Sequence, residues 1–487
     1  MIVPDPVASA ASLFPATDAL RFGGACWTYR ELEERVQAAA ALLAARHRGG
    51  RVGVLSASRP GVVFAAHACA RLGAPFVPHG WRLTADELAW QLTSANVTTL
   101  LHDPERAALA GEAARALGIE TVPLDELESA PPPESAATAP PSDLLREAAV
   151  LFTSGTTGRP KGARIIYGNL WHSAVASALL LDQQPGDIWL ATLSLHHIGG
   201  LSILYRAAIG GCTVDLHERF DADTTLQSIR DGAGFVSLVP TMLQRLLDHP
   251  ASPTAWPESL RAILLGGAAT PAPLLERAMA AGLPVLPTYG LTETSSQAAT
   301  LFPDEISSHP GSSGTPLPTT EIRIMHDGNP VAPGVIGGIE VRGPAVFAGY
   351  LDEPLPRDPA AWFPTGDDGY LDADGFLYVV DRRTDLIVSG GENIYPAEIE
   401  RVLLTHPNVT DAGVAGVSDT QWGARPAAAV VWQGEPRTAQ ATLQAYCRAA
   451  LASFKAPDHV LEVAALPRSP GGKLLRREVR AMFEDPS

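Results

Sequence analysis

The chain has 487 residues, of which 46% are hydrophobic and 18% charged, with a formal net charge of −17. That length suits several cores rather than one, and the acidic balance, with no basic stripe, excludes nucleic acid as an expected partner. No run of about 18 apolar residues is present to span a bilayer, and the opening MIVPDPVASAASLF lacks the basic and long apolar parts of a secretion signal. A cytoplasmic protein without an integral membrane segment is therefore expected. Its four cysteines (Cys26, Cys69, Cys212 and Cys447) are scattered, without the paired spacing of a zinc site or a disulfide framework.

In chain order, Thr28-Tyr-Arg-Glu31 predicts a capping box that opens a helix running to Ala45. Short apolar strands at 51–55, 75–78, 98–101 and 120–122 alternate with helical patterns at 62–72 and after Thr84. That alternation predicts a parallel sheet covered by helices. Residues 130–142 form a Pro/Ala/Ser linker with no packing face. A second set of strands (187–193, 213–216, 235–239, 262–265, 284–287) and helices (169–181, 201–209, 241–247, 273–280) then predicts a second α/β half. From about Gly314 the runs shorten and alternate between Asp-Gly and Pro-Gly turns, as in antiparallel β structure. Asp372-Ala-Asp-Gly375 lacks the spacing of a calcium loop and reads as a hairpin turn. From Asp385 a final α+β unit is expected, with helices at 396–405 and 439–451, strands at 412–417 and 427–432, and a basic end.

Leu151-Phe-Thr-Ser-Gly-Thr-Thr-Gly-Arg-Pro-Lys-Gly162 organises the chemistry. A buried strand breaks into glycines, hydroxyls and one lysine, a combination that lets backbone N–H groups wrap phosphate oxygens. Lys161 is followed by Gly162, so this is not the common P-loop. Lysine is otherwise found only at Lys455 and Lys473, among 36 lysines and arginines. A lysine kept against that preference points to a need for a compact ammonium. Tyr289-Gly290-Leu-Thr292-Glu293-Thr294 follows a strand, where an α/β sheet opens its ligand crevice. There Tyr289 can stack on a purine, Thr292 can bond a phosphate and Glu293 can hold Mg²⁺. Gly266, Gly267 and Ala268 suit close approach to a flat base. Asp367, after a tight turn, can accept ribose hydroxyls, with Arg382 as a further ribose or phosphate contact. Lys473, on a Gly-Gly loop, can draw a carboxylate and an α-phosphate together.

These motifs, with Asp381-Arg-Arg-Thr-Asp-Leu-Ile-Val-Ser-Gly-Gly-Glu-Asn-Ile-Tyr-Pro-Ala-Glu-Ile-Glu400, occur in the order found in the acyl- and aryl-CoA ligases. The chain resembles that adenylate-forming family over its whole length. Within it, three segments most resemble the o-succinylbenzoate–CoA ligases of menaquinone biosynthesis: His196–Leu204 with Arg206, Thr292–Gln297, and Ser389–Glu400. The resemblance implies a fold with a large N-terminal domain (1–383) of two α/β halves and a β-rich, distorted barrel-like subdomain. A small mobile α+β domain (385–487) follows a hinge at Thr384, where many relatives carry Asp or Lys.

It implies ATP, Mg²⁺ and CoA as co-substrates or cofactors and a small carboxylic acid as the partner molecule; a homo-oligomer is left open. The acid is activated as acyl-AMP and then passed to CoA. By position, Thr153, Ser154, Gly155, Thr156, Thr157, Gly158 and Lys161 hold the phosphates. Glu293 binds Mg²⁺, and Thr292, Glu293, His197 and Lys473 are catalytic. Ser389, Gly390 and Gly391 form the CoA loop, presented when the small domain swings between the two steps.

The acid-binding candidates are His196, His197, Ser202, Arg206, Thr294, Ser295, Ser296 and Ser312. No acid occurs near His196-His197 to face an ammonium, which disfavours an amino acid. The serine cluster and Arg206 suit a second carboxylate, although Arg206 also reads as an ordinary helix-surface cation. Another aryl-acid or medium-chain acid ligase is the alternative within the family. A silent nucleotide-binding module lies outside it, and retention of both Glu293 and Lys473 disfavours that.

Overall fold

A computed structural model describes residues 1–132, 139–154, 160–268, 270–353, 357–358, 360–381, 386–433, 440–468 and 474–484. Gly155, Thr156, Thr157, Gly158, Arg382, Thr384 and Lys473 lie outside the described residues, as does part of the 130–142 linker. The chain divides into two units. One comprises Met1–Trp81, Leu88–Phe152 and Gly162–Asp381; the other comprises Arg82–Glu87, Thr153–Lys161 and Arg382–Ser487.

The first unit carries the two expected α/β halves. In one, Arg51–Leu55 pairs in parallel with both Phe76–His79 and Val97–His102, and Val97–His102 pairs in parallel with Glu120–Pro123. Phe76–His79 adds Glu147–Ser154, and Pro160–Ile166 closes that edge of the six-stranded order. In the other, Ile188–Ala191, Thr213–Leu216, Phe235–Leu238, Ala262–Leu265 and Val285–Leu291 form a parallel core. Antiparallel strands flank this nine-stranded sheet. All four residues of Phe76–His79, Phe235–Leu238 and Ala262–Leu265 are buried, as expected of strands covered on both faces.

The helices start where local chemistry satisfies their free N–H groups. Thr28 Oγ1 accepts from Glu31 N, the Glu31 carboxylate accepts from Thr28 N, and the helix runs Tyr29–Arg46. Pro60 opens Pro60–Leu72 and Gly73, at φ 65°, ends it. The third part is a five-stranded antiparallel sheet built on Glu321–His326, Gly337–Arg342, Phe363–Leu371 and Leu377–Asp381. Its strand Gly337–Arg342 alternates between buried and half-buried positions, the pattern of a sheet covered on one face. The 372–375 stretch is the expected turn: Gly375 N donates to Asp372 O at 3.2 Å.

In the second unit, Val409–Asp419 and Gly423–Trp432 form a long antiparallel pair. Ile387–Ser389 and His459–Glu462 join it on Gly423–Trp432. The helices Pro396–Leu403 and Gln440–Ala450 pack with this sheet through Ile399, Leu403, Leu443 and Cys447. Lys455, 5% exposed, lies 3.0 Å from Glu398. A point-like ammonium fits such a closed pocket, which accounts for one of the three lysines. Glu400 is likewise tied to Arg476, whose Nη2 donates to Glu400 Oε2 at 3.0 Å. Among the described residues, no helix is long and apolar enough to cross a membrane.

Candidate active site

The strand Val285–Leu291 carries Tyr289 and Gly290 to its end and delivers Thr292–Thr294 as a single 3-10 turn. Gly290 is required there: a Cβ on it would sit 1.8 Å from Ser296 O. After the turn, Ser295 (φ 52°) and Ser296 (φ 106°) adopt backbone conformations that L-residues rarely take. Non-glycine residues held this way concentrate at functional sites.

Glu293 stands at the centre of the turn. Its Oε1 accepts from Tyr350 Oη at 2.7 Å, and its backbone oxygen accepts from Phe347 N at 2.8 Å. Burial, then the Glu293 charge, pushes the Tyr350 phenol well above its ordinary value, so it stays a proton donor. A carboxylate is the hard oxygen ligand that Mg²⁺ takes while keeping water and phosphate oxygens around itself, so Glu293 fits that ion.

The Tyr289 ring is 1% exposed in this conformation, within the main core. Its hydroxyl donates to Asp367 Oδ2 at 2.9 Å. Asp367 is 2% exposed, and its own N–H donates to Thr365 Oγ1 at 3.1 Å. Tyr289 thus fixes the carboxylate expected to hold ribose. Gly266 and Gly267 follow the strand Ala262–Leu265, with Gly267 exposed at φ 80°. Ala268 is half-buried beside them.

The acid candidates separate. Thr294 Oγ1 accepts from Leu291 N at 2.9 Å and donates towards Leu291 O and Ser296 O. Ser312 Oγ accepts from Gly314 N and donates to Leu377 O, both at 2.9 Å. Both residues are buried, and their hydroxyls brace turns. The helix Ile198–Gly210 carries Ser202 and Arg206 one turn apart, and His196 and His197 precede it with ring centroids 4.2 Å apart. Among the described residues, Ser202 Oγ makes only a long bond to Gly199 O at 3.5 Å.

Arg206 is no surface cation. It is 2% exposed, and its Nε and Nη2 have no hydrogen-bond partner among the described residues. Its guanidinium carbon lies 5.5 Å from the Trp189 ring. Burial lowers its pKa to about 10, which leaves it cationic at neutral pH. The Ser295 hydroxyl is also buried with no hydrogen-bond partner among the described residues. A buried cation without a carboxylate is costly unless something anionic joins it. Half-buried Ser296 completes the turn.

In the second unit, Thr153 Oγ1 donates to Lys161 O at 3.5 Å, while the side chain of Ser154 is not described. Ser389, Gly390 and Gly391 form a tight hairpin turn between Ile387–Ser389 and Glu392–Ile394. Gly390 (φ 59°) donates to Trp422 O at 2.8 Å, and a Cβ there would meet the Trp422 ring at 2.6 Å.

A family model of the AMP-binding enzymes matches residues 7–351, and the model of their C-terminal domain matches 398–473. The chain belongs to the AMP-binding enzyme family. Among relatives in that family, it is 42% identical over 482 residues to a 2-succinylbenzoate–CoA ligase of Bacillus velezensis, covering 97% of this chain and 96% of that one. It is 41% identical to a 2-succinylbenzoate–CoA ligase of Geobacillus kaustophilus, covering 99% and 98%. Among solved AMP-binding enzymes, it is similar to a double mutant of the o-succinylbenzoate CoA synthetase of Bacillus subtilis bound with its product analogue. That similarity has TM-score 0.91 and 39% identity and covers 99% of each chain. The same synthetase in complex with ATP and magnesium ion matches with TM-score 0.74 at 39% identity, covering 98% of this chain and 99% of that one.

Tyr350, which touches the central carboxylate, was not singled out by sequence reasoning. The only local signal is Phe347-Ala-Gly-Tyr350, two small residues between aromatics after Gly343-Pro344.

Proposed function

We propose that the protein is an ATP-dependent, AMP-forming ligase that converts 2-succinylbenzoate to 2-succinylbenzoyl-CoA. The observation that carries this reading is near-full-length similarity to ligases of that name. Arg206 supports the choice of acid, because a buried guanidinium without a carboxylate suits a substrate with a second, distal one.

In the first half-reaction one carboxylate of the acid attacks the α-phosphate of ATP, giving acyl-AMP and pyrophosphate. In the second, the CoA sulfur attacks the acyl carbonyl and AMP leaves with the bonding electrons. Thr153, Ser154, the 155–158 loop and Lys161 hold the phosphates through N–H, hydroxyl and ammonium donors. Glu293 would hold Mg²⁺, which neutralises phosphate charge when bound. Gly266, Gly267, Ala268 and Gly290 border the adenine, and Asp367, fixed by Tyr289, holds the ribose with Arg382. His196, His197, Ser202, Arg206, Thr294, Ser295, Ser296 and Ser312 surround the acid. Ser389, Gly390 and Gly391 serve CoA. The domains are 1–383 and 385–487, with Thr384 as the hinge that lets the small domain present first Lys473 and then the Ser389–Gly391 loop. A cytoplasmic location accords with soluble substrates.

Lys473→Ala separates the two steps. Acyl-AMP formation, followed by pyrophosphate release, is expected to fall about 100-fold, the scale of losing one charge-stabilising donor. Thioester formation from supplied 2-succinylbenzoyl-AMP should be nearly unchanged. Equal loss of both would overturn the assignment of Lys473.

A further inference from the structure

We infer that Tyr350 is a positioning residue for Glu293, and that residues 343–351 form a strap holding the Glu293 turn in register with the strand that leaves the phosphate loop. This rests on the reading of Glu293 as the Mg²⁺ carboxylate. The strap is fixed along its length. Asn169, buried in the first turn of the helix Tyr167–Leu181, donates its side-chain amide to Pro344 O at 2.9 Å and Val346 O at 2.8 Å. Phe347 N donates to Glu293 O at 2.8 Å, and Ala348 N to Arg164 O at 2.9 Å. Arg164 N returns a bond to Gly349 O at 3.0 Å, and Leu351 N donates to Gly162 O at 2.9 Å. Gly349 takes φ 121° where the two segments cross. Gly162 packs against the Leu351 side chain, which would have to shift to admit a Cβ there.

Tyr350 completes this frame. Its ring packs edge-on to Phe347 at 4.8 Å, its N–H donates to Glu353 at 3.1 Å, and its hydroxyl donates to Glu293 Oε1 at 2.7 Å. One carboxylate oxygen is thereby held from a segment fastened to the exit of the phosphate loop. The rotation of that carboxylate is set before any cation arrives. A hydrogen bond of this kind orients a metal ligand, and its loss commonly weakens metal affinity 10- to 100-fold.

The test is ATP binding to the full chain by calorimetry, with and without Mg²⁺, for the native protein, Tyr350→Phe, Glu293→Gln and the double variant. Phenylalanine keeps the ring contact with Phe347 and removes only the hydroxyl. Tyr350→Phe is expected to raise the Mg²⁺ concentration for half-maximal ATP binding about tenfold. ATP affinity in EDTA should stay within about twofold, and Tyr350→Phe should add nothing in the Glu293→Gln background. An unchanged Mg²⁺ requirement, an equal loss in EDTA, or additive losses in the double variant would overturn the proposal. If Glu293→Gln leaves the Mg²⁺ requirement unchanged, the reading of Glu293 falls and takes the proposal with it. If it shifts that requirement and Tyr350→Phe does not, only the role of Tyr350 falls.

Discussion

Arg206 sets the specificity argument at the scale of single residues. Its guanidinium is buried beside Trp189 with two nitrogens unmatched among the described residues, an arrangement that costs stability in the absence of an anion. Arg206→Met keeps much of the volume and removes the charge. Hydrogen bonds to charged groups contribute about 1.5–3 kcal/mol, so KM for 2-succinylbenzoate should rise by roughly 10- to 100-fold. Turnover of an acid lacking the distal carboxylate should change little. The ligand-free variant should melt no lower than the native protein, because a buried unpaired charge has been replaced by an apolar side chain. Parallel losses for both kinds of acid, or a lowered Tm, would contradict this role.

The sequence conveyed the presence of Arg206 but not its burial. Its position one turn from Ser202 is legible, whereas its packing beside Trp189 depends on how a helix seats on a sheet. The same holds for Thr294 and Ser312: the hydroxyls are legible in the sequence, but the turns they brace are not.

At the scale of elements, most strands and helices were legible because their signals are local. The Thr28–Glu31 capping box starts its helix where expected, and the fully apolar run Ala262–Leu265 is a buried parallel strand. The pairings that make the site were not legible, since they join distant segments. Tyr289 meets Asp367 across 78 positions, and Glu293 meets Tyr350 across 57. The turn between these pairs depends on Gly290, where an added Cβ would strike Ser296 O. Gly290→Ala should destabilise the fold by about 1–3 kcal/mol, the usual effect of overpacking. It should also slow acyl-AMP formation at least tenfold by displacing Glu293. Urea unfolding and pyrophosphate release measure the two effects; an unchanged rate of adenylation would show that the turn does not position the carboxylate.

At the scale of the whole molecule, the motif order implied an adenylate-forming ligase, and the two family matches cover residues 7–351 and 398–473. The fold accords with that order. Parallel strands bring the Tyr289–Thr294 segment and Gly266-Gly267 to neighbouring strand ends, and antiparallel sheet carries Asp367 to Tyr289. What the motifs left open is the acid, because adenylation chemistry is shared across the family while the acyl pocket is not.

The most direct measurement supplies ATP, Mg²⁺ and CoA with 2-succinylbenzoate, benzoate, a medium-chain fatty acid and an amino acid, and detects CoA thioesters by mass. The account predicts 2-succinylbenzoyl-CoA as the dominant product, with kcat/KM at least about 100-fold above the others, as a site built around a buried polar partner discriminates. Preference for benzoate or the fatty acid, or no thioester from any acid, would contradict it.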